Sequence, residues 1–294
     1  MTTSGLRERS KIRQFSAENP FDKNPSAFQR RLPPRDDGGF SLVELLITTA
    51  ILALLAGLLL PALGSAREKG RAAMCVSNLR QLHLAATLYA NENDDRCVLG
   101  AEEFLVNLKR WHGVRTSASQ PFDPARGPLV AYLGRSGVIK QCPSLRTPLG
   151  GASNDPRFFE RGCGGYGYNM TYLGSCPGDW NYTRSVRRSD ILHPESTVMF
   201  ADAGLAYPDG CIEYSFIEPP YWADASGVRE DWGSPVPSVH FRHSGRANAV
   251  WCDGHVSSES MSRTGGSNVY GGDSARHRLG WFGPLTSNAL WRIQ

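Results

Sequence analysis

Charge of one sign is scarce: 32 basic side chains face 28 acidic ones, a net of +4 over 294 residues. Nucleic-acid binders show a stronger or clustered basic excess, so that class is set aside. A second long apolar run is missing, which excludes a polytopic membrane protein. Familiar catalytic signatures are missing too. There is no Gly-x-Ser-x-Gly elbow, no Walker loop and no Cys–His pair at telling spacing, so the chain reads as a non-enzyme. EF-hand spacing and repeats of about 20–50 residues are likewise absent, arguing against a calcium loop of that type, a solenoid or a propeller. An apolar content of 40% excludes a wholly disordered chain.

One apolar run is present. Leu45 to Leu63 reads LLITTAILALLAGLLLPAL, without a charge. As a helix it spans about 28 Å, close to the hydrocarbon thickness of a bilayer. Pro61 lies near its far end, where a kink costs least. Residues 1–39 are polar and carry eight basic against five acidic side chains, which favours a cytoplasmic N-terminus and a C-terminal part outside the cytoplasm. Glu44 opens the apolar stretch, although a carboxylate there costs up to roughly 2.5–3.5 kcal/mol at mid-membrane and less near the interface. Its charge calls for a partner. Cleavage after Gly39 would free the amine of Phe40, and a neighbouring subunit's amine would pair with Glu44 in low dielectric.

The run Gly38-Gly39-Phe40-Ser41-Leu42-Val43-Glu44-Leu45-Leu46, followed by the apolar helix and Pro61, resembles the prepilin and pseudopilin family. The resemblance implies cleavage between Gly39 and Phe40 by a prepilin peptidase/methyltransferase, N-methylation of Phe40, and a role for Glu44 in subunit register. It implies as partners other pilin-like subunits and inner-membrane lipid, with no nucleic acid. The expected organisation is a leader at 1–39, a transmembrane helix at 40–64, an amphipathic helix at 65–95 and a β-rich head at 96–294. The expected fold is α+β and pilin-like, a long N-terminal helix packed on an antiparallel sheet with long loops.

Cys75, Leu79, Leu82, Ala86 and Tyr89 recur at helical steps and form one apolar stripe. Asn78 and His83 fall off it as surface polar residues, Gly64 and Gly70 mark places to bend, and the Asn91–Asp95 turn-formers end the helix. In the head, short strands are expected at Val138–Gln141, Thr197–Ala201, Ala247–Cys252 and His255–Ser258. Loops are expected at Ser117–Gly127, Thr147–Gly165 and Glu218–Pro237. Asp253-Gly254 reads as a two-residue hairpin turn.

His243, nine residues and then Asp253-Gly254 resembles the processing-associated His-Asp-Gly motif of a large-headed prepilin-like subgroup. Cys75-Val-Ser-Asn-Leu-Arg-Gln-Leu, Cys142-Pro143-Ser144, Tyr166-Gly167-Tyr168-Asn169 and Phe200-Ala201-Asp202 fit the same subgroup. His243 is expected to hydrogen-bond across the hairpin base beside Asp253. No metal is assigned. His240, His243, Asp253 and His255 include zinc-ligand types, and Asp202 with Asp253 offers a weak calcium analogy. Seven cysteines are present, and the pairings Cys163–Cys176 and Cys75–Cys142 are the disulfide candidates, with Cys252 as a buried thiol. Trp180, Tyr182, Tyr221, Trp222 and Trp232 read as loop aromatics over a sheet edge, and Arg184, Arg187 and Arg188 as a solvated face. The functional expectation is a membrane-anchored subunit of a type II secretion pseudopilus or type IV pilus-like filament. The alternative is an anchored, non-polymerising surface module for a polymer such as polysaccharide, and a third reading is an anchored metal-dependent hydrolase.

Overall fold

The structure is a computed structural model that describes residues 39–104, 106–134, 137–146, 160–179, 182–284 and 287–293. The leader lies almost wholly outside these residues, as do Trp180 and most of the 147–165 loop. The chain divides into two units, Met1–Leu54 and Leu55–Gln294. Helix α1 (Leu42–Glu92) is a single element. Its Leu and Ala content favours the helix throughout. It runs through Gly64, Gly70 and Pro61 without a break, so the glycines do not interrupt it as the sequence suggested. Gly57 carries the carbonyl that Pro61 leaves without a helical donor. The helix stops where Asp94 and Asp95 take φ of 53° and 62°, backbone that Asp tolerates better than most residues.

Within the first unit every described side chain is exposed, although most are apolar. Over α1 an 18-residue window reaches a mean hydropathy of 2.4 with none of it buried. Length and composition suit a bilayer span.

In the second unit the described strands are, along the chain, β1 (Ala101–Glu102), β2 (Lys109–Arg110), β3 (Gly113–Val114), β4 (Tyr166–Tyr168), β5 (Val198–Asp202), β6 (Leu205–Tyr207), β7 (Gly210–Ile212), β8 (Trp222–Asp224), β9 (Gly227–Arg229), β10 (Val239–His240), β11 (Arg246–Trp251), β12 (Val256–Thr264) and β13 (Leu279–Phe282). The main sheet has the order β10-β13-β12-β11-β5-β4, and its neighbours pair antiparallel throughout. The fold is therefore α+β, a long N-terminal helix with an antiparallel β-sheet head.

Both faces of the sheet's centre are buried. Val250 and Phe200 join Cys75, Leu79, Leu82, Ala85 and Ala86 of α1 in one core, while Ala247, Ala249, Trp251 and Phe282 join Trp281 and Trp291 in the other. The helical stripe therefore finds a sheet to cover. Asn78 belongs to this interface, against the expectation from periodicity, because its amide donates to the Tyr166 hydroxyl at 3.0 Å.

Several loops carry more order than their composition implies. Tyr166–Tyr168, directly after the loop expected at Thr147–Gly165, is an edge strand on β5. The Glu218–Pro237 segment contains the β8–β9 hairpin, braced by Arg229 donating to Asp224 and Asp231 at 2.8 Å. Conversely, Val138–Gln141 forms no strand. The carbonyl of Lys140 meets the Asn78 amide at 3.4 Å, and the next backbone amide, Cys142 N–H, donates to Gly164 O at 2.9 Å. Tyr182 packs on Phe104 with ring centroids 4.9 Å apart, and Arg229 lies over Trp232. Arg188 is no solvated cation, since it pairs with Asp95 at 2.9 Å.

Candidate functional site

Two constellations carry chemistry, one at the start of α1 and one around Glu68 and Cys75 in its later part. At its start, Ser41 is the residue before the first helical position and Glu44 sits three further on. The Ser41 hydroxyl accepts from Val43 N–H at 3.2 Å, and the Ser41 N–H donates to Glu44 Oε2 at 2.9 Å. This is close to a capping box, in which hydroxyl and carboxylate serve backbone donors that the helix leaves unpaired. Glu44 thus has a partner in its own chain, where the sequence argument demanded a second amine. Phe40 is 84% exposed and Gly39 stands in open space, which leaves the bond between them accessible.

The second constellation is buried in the second unit. Asp202, at the end of β5, is fully enclosed. It accepts from Arg242 Nη2 at 2.7 Å and from the Cys75 thiol at 2.8 Å on Oδ1, and from Asn248 N–H at 2.8 Å on Oδ2. His243 Nε2 lies 3.4 Å from Asp202 Oδ2 and 3.5 Å from Cys142 Sγ, while its Nδ1 faces Glu68 Oε1 at 3.1 Å. Arg242 spreads its fork over Cys142 Sγ (3.2 Å), Ala203 O (3.0 Å) and Gly165 O (2.6 Å).

Electrostatics follow from these neighbours. Burial pushes the Asp202 carboxyl up, but Arg242 and His243 outweigh it and hold it down at about 2. Cys142 is lowered to about 4 by the neighbouring Cys75, against burial, with Arg242 and His243 adding to the effect. Burial and the neighbouring Cys142 and Asp202 drive Cys75 far up. Burial works against the His243 imidazolium, yet its bonds to Asp202 and Cys142 raise it to about 10. The cluster therefore holds two cations, Arg242 and His243, and two anions, Asp202 and Cys142, beside a neutral Cys75 thiol.

Comparison with known proteins bears on the first constellation. Residues 34–60 match the prokaryotic N-terminal methylation motif. The chain thus carries a prepilin-type segment at the head of α1, suited by its apolar length to anchor the protein in a membrane. No curated protein and no solved structure matches the chain.

Beyond the prepilin-type segment, the remaining candidate residues are placed differently from expectation. His243 and Asp253 lie at opposite ends of β11, so His243 does not lock the Asp253 hairpin. His243 instead exchanges backbone hydrogen bonds with Arg246 across Ser244-Gly245, whose φ values of 53° and 84° make a two-residue primed turn. Ser-Gly was a readable turn signal there.

The β11–β12 connection is longer than a two-residue turn. Trp251 N–H donates to His255 O, leaving Cys252-Asp253-Gly254 as a three-residue loop with positive φ at Gly254 alone. Asp253 accepts from His255 N–H at 3.0 Å and contacts His255 Nδ1 at 2.7 Å. His83, expected on the surface, is half-buried with Nε2 3.1 Å from Cys252 O. A Cβ on Gly254 would come within 2.8 Å of the His83 ring. Gly254→Ala is therefore expected to cost about 1–3 kcal/mol through strain at φ +93° and lost helix docking, measurable as a lowered thermal midpoint.

All seven cysteines are free thiols. The Cys163–Cys176 pairing is not formed, because Cys163 Sγ turns to Glu213 at 3.6 Å and Cys176 Sγ to Arg184 O at 3.7 Å. Cys75 and Cys142 do meet, in the buried cluster. The sequence reading missed Glu68 and Arg242 as its other members, and it set Asp202 beside Asp253 rather than beside these cysteines.

Proposed function

We propose that the chain is a membrane-anchored prepilin-like structural subunit, without catalytic activity, that is cleaved between Gly39 and Phe40 and N-methylated at Phe40. It assembles through α1 into a type II secretion pseudopilus or type IV pilus-like filament. The prepilin peptidase/methyltransferase, other pilin-like subunits and inner-membrane lipid are its partners. The anchor crosses the inner membrane once and the head stands outside the cytoplasm. The spacing from His243 to Asp253-Gly254 supports a reading of the chain as one of the large-headed subgroup.

The observation that carries this reading is the methylation motif at residues 34–60, which overlaps the part of α1, residues 42–63, whose apolar side chains are all exposed. Each large apolar side chain that leaves water gains about 1.5–3 kcal/mol, so lipid or neighbouring helices are the stable surroundings for this segment. After cleavage the Phe40 amine and the Glu44 carboxylate stand near one helix end, where an opposite charge from an adjacent subunit satisfies both.

Mass spectrometry of the protein recovered from membranes tests the processing. The expected N-terminal peptide begins at Phe40 and carries one methyl group. A mature chain that retains residues before Gly39, or one that begins near Arg67, overturns the proposal.

A further inference from the structure

We propose that Cys75, Cys142, Asp202 and His243 form a closed binding site for one divalent transition-metal ion of the zinc class. Each residue offers one ligand atom, all four atoms lie within 4.8 Å of one another, and all four residues are buried. The site is independent of whether α1 polymerises.

The donor chemistry selects the metal. Two sulfurs, one imidazole nitrogen and one carboxylate oxygen suit Zn²⁺, whereas Ca²⁺ and Mg²⁺ take oxygen sets. The spacing agrees. With metal–ligand lengths of about 2.3 Å to sulfur and about 2.0 Å to nitrogen or oxygen, a tetrahedron has S···N and N···O edges of about 3.5 and about 3.3 Å. The corresponding separations are 3.5 Å from Cys142 Sγ to His243 Nε2 and 3.4 Å from His243 Nε2 to Asp202 Oδ2. The Cys75 thiol contact to Asp202 Oδ1 is the hydrogen bond that loading replaces.

An outer shell is already built. Glu68 holds His243 Nδ1, the carboxylate–histidine arrangement that fixes the tautomer leaving Nε2 free for a metal. Arg242 donates to both Cys142 and Asp202, and Asn248 N–H donates to Asp202. A cleft of about 350 Å³ is lined by Glu68 and Arg242 of this outer shell, together with Arg71 and Ser144. A Cys75–Cys142 disulfide would employ two of the four ligands and leave His243 and Asp202 without the ion between them.

The test uses the full chain purified from membranes in mild detergent without added metal or chelator. Elemental analysis is expected to find about one zinc per chain. After chelator treatment, titration with Co²⁺ alone is expected to give intense visible bands of a tetrahedral site and a thiolate-to-cobalt charge-transfer band. Cys142→Ser should lose that band and weaken cobalt binding at least about tenfold, while Cys252→Ser should retain both. If Cys142→Ser fails to fold, the wild-type cobalt spectrum decides. A metal-free chain lighter by two thiol hydrogens, with Cys75 and Cys142 resistant to alkylation, overturns the proposal in favour of a disulfide. A cobalt spectrum without the thiolate band overturns it outright.

Discussion

Glu44→Gln is expected to abolish assembly while leaving cleavage, membrane insertion and the helix start intact. The Gln side-chain oxygen still accepts from Ser41 N–H, so the cap on α1 survives. What disappears is the negative charge, and with it any attraction to the Phe40 amine of an adjacent subunit. In a low-dielectric interface that attraction is far stronger than in water. The expected loss is more than about tenfold in filament-incorporated protein, beyond about 1.4 kcal/mol per contact, read by shear fractionation or cross-linking against unchanged membrane-fraction levels. Glu44→Ala removes cap and charge together and should be no better. If Glu44→Gln assembles as well as wild type, the carboxylate is a helix cap only and has no part in subunit register.

Arg242→Leu is expected to be the most damaging single change in the head. Arg242 and Asp202 are 3% and 0% exposed in their side chains, so removing the guanidinium takes the counter-ion from a buried carboxylate and one hydrogen bond each from Ala203 O and Gly165 O. Breaking such a pair from one side costs about 3–5 kcal/mol, a large fraction of a domain's typical stability. Chemical denaturation should show a lowered midpoint with an unchanged slope, or no cooperative transition. Arg242→Lys should recover only part of the loss, because an ammonium cannot reproduce a planar fork that reaches sulfur, carboxylate and two carbonyls at once. An Arg242→Leu protein with wild-type stability would show that the buried pair is dispensable.

Local pattern and distant convergence explain what was legible in the sequence. Cys75, Leu79, Leu82 and Ala86 announce a buried helical face because neighbouring turns repeat the same demand. A reversal at Gly254 is legible because positive φ at a glycine is a local requirement, whereas its three-residue length is not. The Ser41–Glu44 box is equally local, yet it is eclipsed by the membrane cost of the same carboxylate. Asn78 and His83 defy the periodicity because their partners, Tyr166 in β4 and Cys252 in the loop after β11, come from far along the chain. The buried cluster is illegible for that reason: α1, the Cys142 turn, β5 and the residues before β11 each supply a part. No spacing between them has meaning until the sheet exists.

The Glu68–His243 contact joins residues separated by 175 positions. At translation rates of about 5–20 residues per second, the ribosome needs about 9–35 s to deliver the second partner after the first. Throughout that interval Cys75 stands beside an unfinished sheet, open to oxidants and to stray thiols. Maturation of this head is thus a race between completing the nascent polypeptide and misoxidation, and its outcome depends on what guards one sulfur while the ribosome finishes.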